Sequence, residues 1–275
     1  MELPPITVYR TALGLVAQRG EDCFLLAGES FDSLFTQPEP HSWLERALSY
    51  GKPIERPSAL LAPIGTQEVW ASGVTYLRSR DARMEESKDG GSVYDRVYAA
   101  ERPEIFFKAT PHRTVGTGGK VRIRSDSKWN VPEPEVVLAI NTRGDIFGYT
   151  VGNDMSSRDI EGENPLYLPQ AKVYDGCCAL GPGLVVRGPL PRESAIQLDI
   201  VRAGAPVFSG ATCTSQMKRT FPELASWLCR ENSFPTGCYL FTGTGLVPGN
   251  DFTLLAGDEV SIHIAGLGTL RNVVA

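Results

Sequence analysis

Two glutamates stand two apart in Glu133-Pro134-Glu135, and an aspartate follows an apolar run and a glycine in Val151-Gly152-Asn153-Asp154. Side chains alternate along a strand, so Glu133 and Glu135 are expected on one face and Pro134 on the other, at an edge or rim. Carboxylates held that close raise each other's pKa unless a cation intervenes. Two glutamates and an aspartate form an all-oxygen ligand set, which suits Mg²⁺ or Mn²⁺ and does not suit zinc. Such a set leaves about three octahedral positions for waters or substrate oxygens. A 2-oxo acid fills two of them with a carboxylate oxygen and its keto oxygen. Lys172, in Gln170-Ala171-Lys172-Val173, adds a proton-transfer group. Buried near a cation it loses its proton more readily, and a neutral amine can take a proton from carbon. Each feature alone has a plainer reading, a solvated surface pair or a strand-end lysine. Their conjunction points to enolate chemistry on a 2-oxo acid.

The elements that must position these groups are mostly short strands. Residues 1–65 read as a small α/β unit: strands at Ile6–Tyr9, Leu13–Ala17 and Cys23–Leu26, then a short helix at Ser42–Leu48 with Ser42 as its N-cap. A connector marked by Pro53, Pro57 and Pro63 follows. From 66 to 275 the chain reads as one larger β-rich unit, so the expected class is α+β. Val69–Val74 reads as a buried strand. Tyr76–Glu86 and Val93–Glu101 are helix-compatible and flank Ser87–Ser92, an arrangement that could act as a lid or be a plain surface loop. Thr220–Cys229 reads as a late helix. In the strand Asp258–Ile264, Val260, Ile262 and Ile264 alternate with polar residues, and His263 between two isoleucines reads as structural.

Composition excludes several classes. The 275 residues are 42% hydrophobic and 21% charged, as in ordinary soluble globular proteins. A net charge of −5 argues against nucleic acid as the main partner. No run reaches the length of a membrane span, and the first residues lack the basic and apolar regions of a secretory signal, so a cytoplasmic protein is expected. The six cysteines form no CxxC pair and read as reduced, mostly buried small hydrophobes.

Taken together, these residues resemble the fumarylacetoacetate hydrolase family. The family's Glu-x-Glu stands at Glu133-Pro134-Glu135, its Asn-Asp-x-Ser-x-Arg-Asp at Asn153–Asp159, its lysine at Lys172 and its Gly-Pro at Gly181-Pro182. Phe241-Thr242-Gly243-Thr244-Gly245 and the Gly257–Ile262 pattern also match. A closer likeness, to the branch of 2-keto-3-deoxy-D-arabinonate dehydratases, rests on Arg102–Lys108, Trp129–Glu135 and Asn153–Asp175. The resemblance implies a mixed β-sheet catalytic domain and a homo-oligomer, a homodimer or homotetramer. It implies Mg²⁺ (or Mn²⁺) on Glu133, Glu135 and Asp154, with Lys172 and Glu104 as acid/base residues. Thr244 is expected to hold the substrate carboxylate, and Ser79, Arg80, Asn153 and Arg158 to contact substrate; Arg78 and Arg83 are also in reach by sequence.

One departure from the family is informative. Its carbon–carbon hydrolases carry a water-activating histidine just after a Gly-x-x-Tyr turn. The corresponding segment here, Gly73–Arg83, contains none. That agrees with a dehydratase of a 2-keto-3-deoxy pentonate giving 2,5-dioxopentanoate, which needs no attacking water. Hydrolysis of a 2,4-dioxo acid, decarboxylation of a 2-oxo acid and a non-catalytic metal-binding protein are the other readings.

Overall fold

Apolar runs punctuated by Gly and Pro turns fold, in the computed structural model of the chain, into a β-rich α+β architecture. The structure describes residues 4–79, 84 and 91–275, the side chains of 91–93 excepted. Strands β1 (Ile6–Thr11), β2 (Gly14–Arg19) and β3 (Asp22–Leu26) form a meander. Helices at Phe31–Phe35 and Pro40–Leu48 lead to β4 (Lys52–Ile54). β5 (Glu68–Gly73) and β6 (Glu104–Ala109) lie on either side of a helix at Gly91–Ala99 in sequence. Three short strands follow, β7 (Thr114–Val115), β8 (Lys120–Val121) and β9 (Asn130–Val131). β10 (Pro134–Ile140) and β11 (Ile146–Asp154) make the central hairpin. After β12 (Ser156–Ser157) come short helices at Arg158–Glu163 and Leu168–Lys172. The rest is β13 (Cys178–Val186), β14 (Ala195–Arg202), β15 (Ala205–Cys213), a helix at Phe221–Leu228, β16 (Cys238–Phe241), β17 (Glu259–Ile264) and β18 (Gly268–Val274).

The large sheet runs β4-β3-β2-β1-β13-β11-β10-β16-β5-β6, with β7 beside β13. The antiparallel β1–β13 pairing (Ile6↔Val186) makes the N-terminal strands continuous with the rest of that sheet. A five-stranded sheet, β15-β14-β17-β18-β8, packs against one face, and β9 and β12 form a small ribbon. β10 is buried on both faces, which is why, after Glu135, its sequence from Val136 to Ile140 is an apolar run and not an alternation. Val137 and Ala139 join a core with Phe35, Phe147 and Tyr239; Val136, Leu138 and Ile140 join a second core with Leu224, Leu228 and the apolar residues of β14 and β17. β17 shows the expected period of two: Val260, Ile262 and Ile264 are buried, and His263 lies outward with its Nδ1 3.0 Å from Thr269 Oγ1.

Local boundaries differ from expectation at two places. The second helix begins at Pro40 with Glu39 at the cap position and no side-chain cap bond, not at Ser42. Proline's fixed φ suits a first helical position. Pro53, read as connector, lies in β4, where its missing N–H is tolerated because β4 is an edge strand. The late helix is capped as its sequence suggests, with Thr220 and Glu223 forming a capping box. Most of the Tyr76–Glu86 helix and of Ser87–Ser92, with Arg80 and Arg83, falls outside the described residues. Among the described residues no helix is long and apolar enough to cross a membrane.

Candidate active site

The open end of the β10–β11 hairpin gathers the carboxylates. Antiparallel register sets Glu135 opposite Gly152 and Pro134 opposite Asn153. The Asp154 N–H donates to the Glu133 carbonyl at 3.0 Å, closing that end of the ladder. Glu133, Glu135 and Asp154 are all buried, and one oxygen from each lies within 4.8 Å of the others. Glu135 Oε2 accepts the Gly243 N–H at 2.6 Å. Gly243 has φ +91°, and a Cβ there would collide with Thr75, so only glycine turns this N–H toward the carboxylate. Burial pushes the Glu135 carboxyl well above the ordinary carboxylate pKa, the Asp154 and Glu133 charges push it further, and Lys172 and the Gly243 N–H oppose them only in part. Three buried hard oxygens that repel one another in this way fit a divalent cation such as Mg²⁺.

Lys172 ends the short helix Leu168–Lys172, whose Pro169 starts the turn and whose Ala171 packs inward. Its Nζ lies 2.5 Å from Ser156 Oγ, 2.7 Å from Glu133 Oε2, 3.1 Å from Asp154 Oδ2 and 3.4 Å from Glu161 Oε1. The Phe106 ring covers it, with its centroid 5.8 Å from Nζ. Arg158 Nη2 donates to Glu133 Oε1 at 2.8 Å, so Glu133 is held from two sides. Behind Asp154 lies a second lysine. Lys108 Nζ is 2.6 Å from Asp154 Oδ1. Burial is the largest single influence and would depress its pKa, but the Asp154 charge and hydrogen bond, together with Cys177 and Cys178, outweigh it and hold the ammonium above its ordinary value.

β6 supplies one wall. Glu104 pairs in register with Gly73 of β5, and a Cβ on Gly73 would overlap the Glu104 carboxyl. Glu104 borders a cavity of about 270 Å³ that Tyr94, Val97, Arg102, Glu161 and Leu168 also line. The pocket over the carboxylates is lined by Ser72, Gly73, Val74, Ser79, Phe106, Arg158, Lys172, Gly243 and Thr244 besides the three acids. Thr244 Oγ1 donates to the Leu246 carbonyl at 2.9 Å, and Ser79 Oγ donates to the Tyr76 carbonyl at 2.7 Å. No histidine is among these lining residues.

The sequence-selected residues Glu133, Glu135, Asp154, Lys172, Arg158, Ser79 and Thr244 thus converge on one pocket, with Glu104 in the adjoining cavity. Asn153 does not join them. Directly opposed residues of an antiparallel pair share a face. Its partner is Pro134, so Asn153 sits on the face of β11 opposite to the one shared by Glu135, Gly152 and Asp154. Its expected substrate contact is corrected accordingly. Arg80 lies outside the described residues. Sequence reading gave no role to Lys108, Ser156 or Glu161. The available signal was a lysine inside the apolar strand Ile105-Phe106-Phe107-Lys108-Ala109, a context that buries a charge only when it has partners.

The family model for the fumarylacetoacetate (FAA) hydrolase C-terminal region matches residues 68–275. The chain belongs to the fumarylacetoacetate hydrolase family. Among its relatives, the probable 2-keto-3-deoxyxylonate dehydratase of Haloferax volcanii is 51% identical over 214 residues, 77% of this chain and 73% of the relative. The 2-dehydro-3-deoxy-D-arabinonate dehydratase of Saccharolobus solfataricus is 47% identical over 217 residues, with the same shares covered. A solved structure of 2-keto-3-deoxy-D-arabinonate dehydratase complexed with magnesium and 2,5-dioxopentanoate superposes with a TM-score of 0.83 at 35% identity, covering 100% of this chain and 98% of that one.

Proposed function

We propose that this chain is a divalent-metal-dependent hydro-lyase that dehydrates a 2-keto-3-deoxy pentonate to 2,5-dioxopentanoate. The observation that carries the reading is Lys172 Nζ set between Glu133 and Asp154 of a buried three-carboxylate cluster, in a pocket with no histidine along its wall. The resemblance to dehydratases at 47% and 51% identity supports it.

Glu133, Glu135 and Asp154 would hold Mg²⁺, which when bound supplies Lewis acidity to the 2-oxo group and so acidifies C3. Engaged by a cation, Glu133 and Asp154 hold the Lys172 ammonium less strongly, which favours the neutral amine that accepts a proton. Lys172 Nζ takes a proton from C3. Glu104, against the backbone at Gly73, gives its proton to the C4 hydroxyl, which leaves as water. The double bond then shifts from C3–C4 to C4–C5 as a proton leaves C5 and one returns to C3. The resulting C4–C5 enol tautomerises to the aldehyde. Thr244 and Ser79 line the pocket, and their hydroxyls would have to turn from the Leu246 and Tyr76 carbonyls to donate to the substrate's carboxylate end; Phe106 keeps water from the amine. We take the enzyme to act in the cytoplasm as a homo-oligomer; its six unpaired cysteines suit a reducing compartment.

The test is incubation with racemic 2-keto-3-deoxy pentonate in Mg²⁺ and in EDTA, read by mass spectrometry. Loss of one water in Mg²⁺ alone is expected, and Lys172→Met should abolish it while leaving metal binding intact. Two carbon fragments, released CO₂ or an unchanged substrate in Mg²⁺ would sink the dehydratase reading.

A further inference from the structure

We infer that Lys108 is a positioning residue that fixes the metal ligand Asp154 and the base Lys172 relative to one another. The inference rests on the function proposed above and goes beyond it, because Lys108 does not line the pocket.

Lys108 is fully buried and lies behind the reacting groups. Its ammonium has three N–H donors and three oxygens around it: Asp154 Oδ1 at 2.6 Å, the Met155 carbonyl at 3.0 Å and the Lys172 carbonyl at 2.5 Å. One side chain therefore ties the end of β11, which carries Asp154, to the end of the helix that carries Lys172. With Oδ1 taken, Asp154 turns Oδ2 toward Lys172 Nζ, 3.1 Å away. The aim of Lys108 is itself built into the strand. In the β5–β6 pairing Val69 opposes Ala109 and Trp70 opposes Phe107, so Lys108 is the extra residue of a bulge. Bulges re-aim side chains, and this one sends Lys108 to the site. Burying an ammonium is costly, and a methionine of similar volume would fill the same space without that cost. A lysine here is explained by what it holds.

Charge and position predict opposite effects on metal affinity. A cation beside Asp154 repels a metal, so if Lys108 acted only through its charge, Lys108→Met would tighten binding. If it acts by holding Asp154, the same change weakens binding by about 10–100-fold, as loss of a partner behind a metal ligand does. Titration of the full-length enzyme with Mn²⁺ alone, by calorimetry or electron paramagnetic resonance, separates the two. We expect weaker Mn²⁺ binding and lower kcat in Lys108→Met. Lys108→Arg should restore neither, because a planar guanidinium keeps the charge but cannot meet three oxygens around one nitrogen. In an Asp154→Asn background Lys108→Met should change Mn²⁺ affinity no further. That double variant, which replaces both charges by neutral groups of similar shape, also answers if Lys108→Met alone does not fold. Unchanged or tighter Mn²⁺ binding with wild-type turnover in Lys108→Met overturns the positioning role, as does a further loss in the double variant. Wild-type enzyme that takes up no Mn²⁺ would instead overturn the proposed function, and the role of Lys108 with it.

Discussion

Two regions of the large sheet, its β1–β4 end and the part running from the central β10–β11 hairpin to β6, handle charge in opposite ways. At the β1–β4 end, the interior contributed by Leu15, Leu26, Phe31, Leu34 and Leu44 is wholly apolar, and the Arg19–Glu45 ion pair lies at the surface. Around β10, β11 and β6, four carboxylates (Glu133, Glu135, Asp154, Glu161) and three cations (Lys108, Lys172, Arg158) are packed together out of water. Removing that many ions from water is unfavourable, and even well-paired buried ions contribute less to stability than an apolar core of the same volume. The first region is built for stability. The second accepts lower stability for a preorganised polar site, the usual compromise where a site must meet a cation and a charged substrate.

The sharpest way to break this contrast is to remove packing where no chemistry is expected. Leu44 is fully buried on the helix Pro40–Leu48 and lines neither cavity of the site. Leu44→Ala should cost about 2–5 kcal/mol of unfolding free energy, from lost transfer energy and the void left behind. Chemical denaturation reads that loss, and kcat per folded molecule should stay at the wild-type value. A fall in kcat at temperatures where the variant is fully folded would mean that the two regions are coupled.

The site region should show the reverse, a charge that costs stability until a cation meets it. The Glu135 carboxyl has its pKa raised well above the ordinary 4.5 by burial and by Asp154 and Glu133. The folded state therefore keeps this proton where the unfolded state has lost it. Stability linked to Glu135 is fully present below the ordinary carboxylate pKa and is lost as pH rises toward the raised value. For metal-free protein, Tm should decline with pH over that window, and Glu135→Gln should reduce the slope. Added Mg²⁺ should restore stability most at the alkaline end, by about 2.7 kcal/mol at a free concentration 100 times its Kd. Scanning fluorimetry of both proteins with EDTA and with Mg²⁺ checks this; identical slopes would show that Glu135 ionises at no cost.

Much of this division was legible beforehand, for reasons that differ by residue. Glu133, Glu135, Asp154 and Lys172 could be selected because three hard ligands beside a candidate base have few other uses; the hairpin register gathers the acids, and the short helix Leu168–Lys172, not a strand end, delivers the lysine. The β17 alternation identified a half-exposed strand. What escaped depends on register and long-range contact. Asn153 neighbours Asp154 in sequence but faces the other way, because a one-residue step reverses the face of a strand. Lys108 looked like part of an ordinary apolar strand. Its role depends on a bulge and on carbonyls 47 and 64 residues away, which no local pattern encodes. Ser156 and Glu161 meet Lys172 only through the chain's return after β12.

The smallest effect should come from the ion pair at the apolar end. Arg19 Nη1 lies 2.8 Å from Glu45 Oε2, linking β2 to the helix Pro40–Leu48, and the two side chains remain 49% and 33% exposed. Water already solvates both groups, and holding two long side chains in one geometry loses entropy. Arg19→Ala should therefore cost about 0–1 kcal/mol, and a double-mutant cycle with Glu45→Ala should give a coupling of the same size. Salt near 1 M shortens the screening length to about 3 Å and should erase most of that coupling. The ion pairs around Lys172 are of similar length, so distance alone does not set the difference between the two regions. Solvent does. A salt-resistant coupling of several kcal/mol at Arg19–Glu45 would break that explanation, because it would show a surface pair behaving as though it were buried.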